Sequence, residues 1–202
     1  MTATNEDTGA AHPELWLVRH GETDWARTGR HTGLTDIKLT TRGRAQAVDL
    51  APRLSGHSFG RVLSSPLSRA LDTAQLAGFA DRAETNADLV EWDYGADEGR
   101  TSEAISAERP GWTIWSDGPL GGERIESVAA RTDRVIDAVR HVDGNTLCFA
   151  HGHVLRVLAS RWIGLPPTAG ALFALDTATI SILGWDRDTP VIRRWNDGLD
   201  LD

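Results

Sequence analysis

Residues 15–25 read LWLVRHGETDW, and the rest of the chain is best understood from them. Leu15, Trp16, Leu17 and Val18 make an apolar run of the length of a buried strand, which stops at Arg19-His20-Gly21: a cation, an imidazole and a residue with no side chain. In an open α/β sheet, ligands bind in the crevice beyond the carboxyl ends of parallel strands, so a charged cluster at a strand end reads as a site. Taken alone, the same residues also fit a satisfied structural histidine beside a surface cation. Other strand ends must therefore carry matching chemistry if this one is a site.

The surrounding chain sets limits on what that site can be. Its 202 residues suit one core domain carrying an insertion, and 40% hydrophobic with 25% charged residues are ordinary globular values. A net charge of -8 opposes general affinity for nucleic acid or a membrane surface, both anionic, so neither partner is expected. A phosphorylated substrate would need a local cationic pocket. The single Cys148 lies in the apolar run from Thr146 to Ala150; it has no partner for an internal disulfide and reads as a small core residue rather than a nucleophile. Residues 1–13 are small and polar and read as a loose N-terminal arm without the basic and apolar regions of a leader; no stretch is long enough to span a bilayer. A cytoplasmic enzyme is expected.

Beyond the first corner, Thr40 is placed to cap a helix with Ala47, Val48, Ala51 and Leu54 inward. Arg61 to Ser64 gives a second strand, and Ser65-Pro66 reads as a helix start with an N-cap followed by proline at the first helical position. The apolar stripe of that helix is Leu67, Ala70, Leu71, Ala74 and Ala77, ended by Gly78. Leu89-Val90 reads as the end of a further strand, before Glu91. From about 95 to 122 the periodicity fades among Trp112, Trp115, Pro110 and Pro119, which predicts a folded excursion with a lid-like role. A helix over roughly 123–141 follows, then a strand from Thr146 to Ala150 that stops at His151-Gly152-His153, echoing the first corner. An apolar helix ending near Gly164 and two β-rich runs, 178–185 and 191–195, complete the pattern. Alternating strands and helices predict an α/β fold: a three-layer α/β/α sandwich on a mainly parallel sheet, in a single domain over 14–202. Exposed edge strands or apolar helix faces would support a homodimer.

Four residues thus follow apolar runs: His20, Arg69, Glu91 and His151. On parallel, adjacent strands they meet at one rim, and with Arg19 they make a cationic pocket of the kind that binds a dianionic phosphoryl group, where Gly21 and Gly152 let backbone N–H groups approach. At this point the sequence resembles the histidine phosphatase superfamily, the phosphoglycerate mutase-like proteins. The matching pieces are LVRHGETDW at 17–25, GRHTGLTDIKLTTRG at 29–43, SSPLSRALDTA at 64–74, EWDYGADEG at 91–99, GGE at 121–123 and AHGHVLR at 150–156. The variant resembles the small phosphatases that include broad-specificity acid phosphatases and sedoheptulose-bisphosphatase-type enzymes.

The resemblance implies a nucleophilic His20 that forms a phosphohistidine through one ring nitrogen while a backbone acceptor fixes the other. It implies Arg19, Arg69 and His151 on the phosphoryl oxygens, and Glu91 as the acid that protonates the leaving alcohol and then activates water. Gly21, Thr32 and Gly33 are implied as further binding positions, with Gly152, and no metal or other cofactor is implied. The substrate would be a small phosphorylated metabolite, such as a sugar phosphate or bisphosphate. Ala26 departs from the pattern, since many relatives carry Asn there. Glu91 and His151 are only 60 positions apart, shorter than in full phosphoglycerate mutases, which disfavours the mutase alternative. A catalytically silent phospho-ligand-binding module is the other alternative. The His151-x-His153 pair invites a metal reading, but no Asp or Cys is spaced to complete it. His153 is expected either behind the site residues, supporting them, or at the substrate rim; the eight tryptophans read mostly as core and lid packing, with lining of the substrate mouth the alternative for Trp112 and Trp115.

Overall fold

A computed structural model describes residues 12–198, so the expected arm over 1–13 falls almost wholly outside the described residues. In chain order the elements are β1 (Leu15–Arg19), α1 (Asp24–Arg27), α2 (Thr41–Leu54), β2 (Phe59–Ser64), α3 (Ser68–Ala74), β3 (Ala83–Thr85), α4 (Ser102–Glu108), α5 (Ile125–Arg140), β4 (Asn145–Ala150), α6 (Gly152–Trp162), β5 (Ile180–Asp186) and β6 (Thr189–Asp197). The strands form one sheet in the order β3-β2-β4-β1-β5-β6, with helices on both faces. β3, β2, β4 and β1 run parallel, and β5 and β6 close the far edge as antiparallel neighbours. This is the mainly parallel three-layer α/β architecture that the strand-helix alternation predicts.

Strand pleating sorts the side chains between two apolar layers. Leu15, Leu17, Leu63 and Cys148 face α5, α6 and part of the 95–122 excursion, whereas Trp16, Val18, Val62, Leu147 and Phe149 face α2 and the segment after α3. Both faces of the central strands are therefore covered, as near-continuous apolar runs require. Cys148 is fully buried, and burial pushes its thiol pKa up to about 12, the behaviour of an inert core residue.

The parallel register matters most for function. Arg19 pairs with Ala150 and Ser64 with Phe149, so β1, β2 and β4 end level with one another. His20, Ser65 and His151, each the next residue, emerge on the same rim.

Three local expectations give way. Val48 is half exposed, and Leu50 takes its place on the buried face of α2 beside Ala47 and Leu54. The helix expected at Ser65-Pro66 starts only at Ser68, because Ser65 packs toward His151 and the first turn is capped from another loop: Asp36 accepts from Ser68 N at 3.0 Å. It then passes into a π-helical turn at Gln75–Phe79, where Gly78 adopts φ +92°. Finally, Leu89-Val90 is no strand. Asn86 Oδ1 accepts from Asp88 N at 2.8 Å and nucleates a 3₁₀ turn over Ala87–Leu89, so Glu91 reaches the rim from a loop.

Candidate active site

His20 sits where β1 runs out, 3% exposed. Its Nδ1 lies 2.7 Å from Gly21 O, an acceptor, so Nδ1 carries the proton and Nε2 is left with a free lone pair. Burial, with Arg19 and Arg69 nearby, holds the His20 pKa well below the ordinary histidine value. The corner is rigid. Gly21 N donates to Thr73 Oγ1 at 3.1 Å, and a Cβ on Gly21 would stand 2.3 Å from Gly43 O, so only glycine lets β1 turn against α2.

Arg69 is fully buried and almost fully engaged. It donates to Thr35 O (3.1 Å), Thr32 O (3.2 Å), Gly33 O (2.8 Å) and, through Nε, to His151 Nδ1 at 3.1 Å. Of the five guanidinium N–H groups, one on Nη1 remains. With Nδ1 accepting, His151 carries its proton on Nε2, which lies 2.7 Å from Ser65 Oγ. Its ring centroid is 5.2 Å from that of His20, and burial plus Arg69 keeps its pKa well below the ordinary value.

The 32–36 loop that cradles Arg69 is itself clamped. Glu98 accepts from Gly33 N at 2.9 Å and Thr35 N at 3.1 Å, while a Cβ on Gly33 would meet Glu98 Oε2 and Trp92 O at 2.6 Å. Gly21, expected to let a backbone N–H group approach a phosphate, directs its own to Thr73, and Gly33, expected as a further binding position, directs its N–H to Glu98.

Arg19 faces a cavity of about 400 Å³ together with His20, Thr32, Glu91 and Gly152. Its Nη1 donates to Leu175 O, and its buried Nε has no partner among the described residues. Gly152 leaves room for it: a Cβ there would sit 3.4 Å from Nε. Glu91 docks on the N-terminus of α6, where Oε1 accepts from Val154 N (2.9 Å) and Trp92 N (2.9 Å) and Oε2 from His153 N (3.0 Å). Unpaired N–H groups at a helix start are natural partners for a carboxylate.

All five expected catalytic residues therefore converge on one rim, but not equally. Arg19, His20 and Glu91 line the cavity; Arg69 and His151 are sealed beside it. Among the described residues no three His, Cys, Asp or Glu side chains gather in a way that could hold a metal ion. The outer wall of the cavity comes from the 95–122 excursion, through Ser102, Trp112, Ile114 and Trp115. Asp97 ties that excursion together, bonded to Arg109 at 2.5 Å and Leu120 N at 2.9 Å.

Residues 15–198 match the family model of the histidine phosphatase superfamily, branch 1. The chain belongs to the histidine phosphatase superfamily. Among its relatives, an acid phosphatase of Mycobacterium tuberculosis is 41% identical over 183 residues, 88% of this chain and 89% of that one. Sedoheptulose 1,7-bisphosphatase of Saccharomyces cerevisiae is 32% identical over 76% of this chain and 68% of its own length. A solved structure of a Mycobacterium tuberculosis open reading frame superposes with a TM-score of 0.88 at 36% identity, covering 92% of this chain and 98% of that one. This histidine phosphatase is thus an enzyme of the phosphatase type, and among the described residues no helix is long and apolar enough to cross a membrane.

Several residues of this histidine phosphatase's site escaped the sequence reading. Tyr94 and Glu98 lie inside the quoted EWDYGADEG motif, and Arg156 closes AHGHVLR, yet neither hydrophobic period nor charge spacing singles them out. Arg156 lies four positions beyond Gly152 on α6, which puts both on one helix face, and that spacing was the available signal.

Proposed function

We propose that this enzyme hydrolyses phosphomonoesters through a phosphohistidine on His20, needing no metal or other cofactor, and that its substrate is a small phosphorylated metabolite, a sugar phosphate or bisphosphate. The observation that carries the reading is the bond from His20 Nδ1 to Gly21 O, which leaves Nε2 as the free nucleophilic nitrogen beside a buried guanidinium cluster. His20 Nε2 attacks phosphorus as the ester P–O bond breaks. Glu91 delivers a proton to the departing alcohol oxygen; Oε2 accepts one backbone N–H where Oε1 accepts two, so Oε2 keeps the lone pair for that proton. The Glu91 carboxylate then takes a proton from the water that displaces His20, releasing phosphate and restoring neutral His20.

Arg19 faces the phosphoryl group across the cavity. Arg69 adds charge and its remaining Nη1 hydrogen, and His151 exchanges Ser65 Oγ for a phosphoryl oxygen as the ester enters. At the outer end, Arg30 and Arg156 line the cavity without a carboxylate partner among the described residues, which favours a substrate with a second anionic group. The excursion wall sets which leaving groups fit.

Phosphate release without added metal, from p-nitrophenyl phosphate, phosphoglycerates, sugar monophosphates and sugar bisphosphates, tests the reading in wild type and His20→Ala. Release by wild type, with a loss of at least about 10³-fold in the variant and an acid-labile phosphoenzyme on wild type alone, is the expected result. Retained turnover in His20→Ala overturns it. Phosphoglycerate interconversion without release would put a mutase in its place.

A further inference from the structure

We infer that His153 is the specificity-determining donor of this site, and that it selects esters whose leaving alcohol carries a further hydroxyl group, as in sugar and polyol phosphates. The inference rests on the phosphatase reading above and deepens it. His153 lies on the first turn of α6, and its backbone N–H is held by Glu91 Oε2, so the ring stands next to the proposed proton donor at the cavity wall. Its Nδ1 is 2.7 Å from the Tyr94 hydroxyl.

Tyr94 determines which nitrogen carries the proton. The phenol is 1% exposed, and burial together with Glu91 raises its pKa well above the ordinary tyrosine value, so it stays an O–H group. His153 Nδ1 is its hydrogen-bond partner among the described residues. A buried hydroxyl needs an acceptor; Nδ1 therefore accepts, and the ring proton resides on Nε2. The ring is held neutral by burial and by Arg156, His31 and Arg19, which face it. Nε2 has no partner among the described residues, yet it is not one of the sealed, unbonded atoms. It is a fixed neutral donor open to the cavity.

The surroundings suit a hydroxylated carbon chain. Trp115 stands against the His153 ring at 5.2 Å between centroids, and the Arg156 guanidinium lies over the Trp115 ring at 4.6 Å. C–H groups can rest on the indole while hydroxyl oxygens accept from Nε2.

The test compares kcat/KM for p-nitrophenyl phosphate, whose leaving group has no second hydroxyl, with that for glycerol phosphate and a sugar phosphate. His153→Phe keeps a ring of similar size without the donor. It should lower the polyol-to-nitrophenyl ratio about tenfold, since an unmet substrate hydroxyl loses one hydrogen bond and remains desolvated. Tyr94→Phe removes a single oxygen, frees the tautomer and should shift the same ratio about threefold, which keeps the inference testable if the larger change impairs folding. Equal losses on all esters, or none, overturn the inference while leaving the phosphohistidine reading intact. Absence of phosphate release by wild type from every ester overturns that reading and this inference with it.

Discussion

The two ends of the cavity are built on different rules. At the inner end, most polar atoms are bonded to one another or to main chain: His20 to Gly21 O, Arg69 to three carbonyls and His151, His151 to Ser65. Arg19 Nε and His20 Nε2, the groups that meet the phosphoryl group in the proposed reaction, are left without a partner among the described residues. At the outer end, Trp112, Trp115, His153, Arg30 and Arg156 come from the excursion, from the loop after α1 and from α6, and the side-chain donors of His153 and Arg30 are left without a partner among the described residues. The inner end is pre-organised for one invariant shape, the phosphoryl group. The outer end is a wall of rings and cations whose composition sets what else is accepted.

Removing Arg69 should produce the largest break between the two. Arg69→Ala should lower kcat/KM by about 10²–10³-fold on every ester alike, because a transition-state charge loses its support. The same change leaves the carbonyls of Thr32, Gly33 and Thr35 and His151 Nδ1 without their donor, so it should also cost stability by about 3 kcal/mol, measured by urea unfolding. A loss confined to one ester class would put Arg69 at the outer end instead.

Acid should separate the ends thermodynamically. His20, His151 and His153 all have folded pKa values well below the unfolded value of about 6.5. As pH falls through that value the unfolded chain takes up protons first; the stabilising contribution is complete above it and is lost progressively below. Each ring adds a slope of up to about 1.4 kcal/mol per pH unit. Urea midpoints between pH 8 and 5 should fall, and His153→Phe should remove one ring's share of the histidine-dependent slope, the inner pair and His31, whose pKa burial also lowers, keeping the rest. Catalysis should be less acid-sensitive than a free imidazole predicts, with the acid limb of kcat/KM lying below pH 6.5, because His20 stays unprotonated.

A subtler effect should pass through Arg69 from a residue that touches no substrate. Glu98 holds Gly33 and Thr35, whose carbonyls hold Arg69. Glu98→Ala should lower kcat/KM about tenfold and weaken inhibition by inorganic phosphate in parallel. In an Arg69→Ala background it should cost almost nothing more; additive losses in that double-mutant cycle would show that Glu98 acts by another route.

The inner end was the legible one. Its residues follow apolar runs on β1, β2 and β4, and strand register alone brings the ends of those runs level, so His20, Arg69 and His151 could be placed together from periodicity and order. What failed there was local. Pro66 after Ser65 has the composition of a helix start, but the cap comes from Asp36, thirty-two residues earlier, and no window around Ser68 contains it. Leu89-Val90 has strand-like side chains, yet Asn86 diverts the backbone into a tight turn. The outer end was largely illegible because its contacts join segments with no shared period: Tyr94 from one loop meets His153 on α6, and Trp115 from the excursion lies against Gly170, where a Cβ would stand 2.6 Å from the indole. Such pairs are set by tertiary packing, which hydrophobic patterning does not encode.

Trp115 gives the smallest and most selective prediction. Its indole carries the Arg156 guanidinium at 4.6 Å, while Arg156 Nε is separately held by Gly170 O at 2.9 Å. Trp115→Ala therefore removes one of three supports, since Nη2 also donates to Ala171 O at 3.3 Å, and part of the apolar wall, but leaves Arg156 tethered. A cation–π contact of this kind contributes about 1 kcal/mol, so KM for a sugar bisphosphate should rise about fivefold with kcat nearly constant. KM for p-nitrophenyl phosphate, which has no second anionic group for Arg156, should rise less. If kcat fell instead, with KM unchanged, the indole would have to support the reacting phosphoryl group, and the division between a fixed inner end and a selective outer end would not hold.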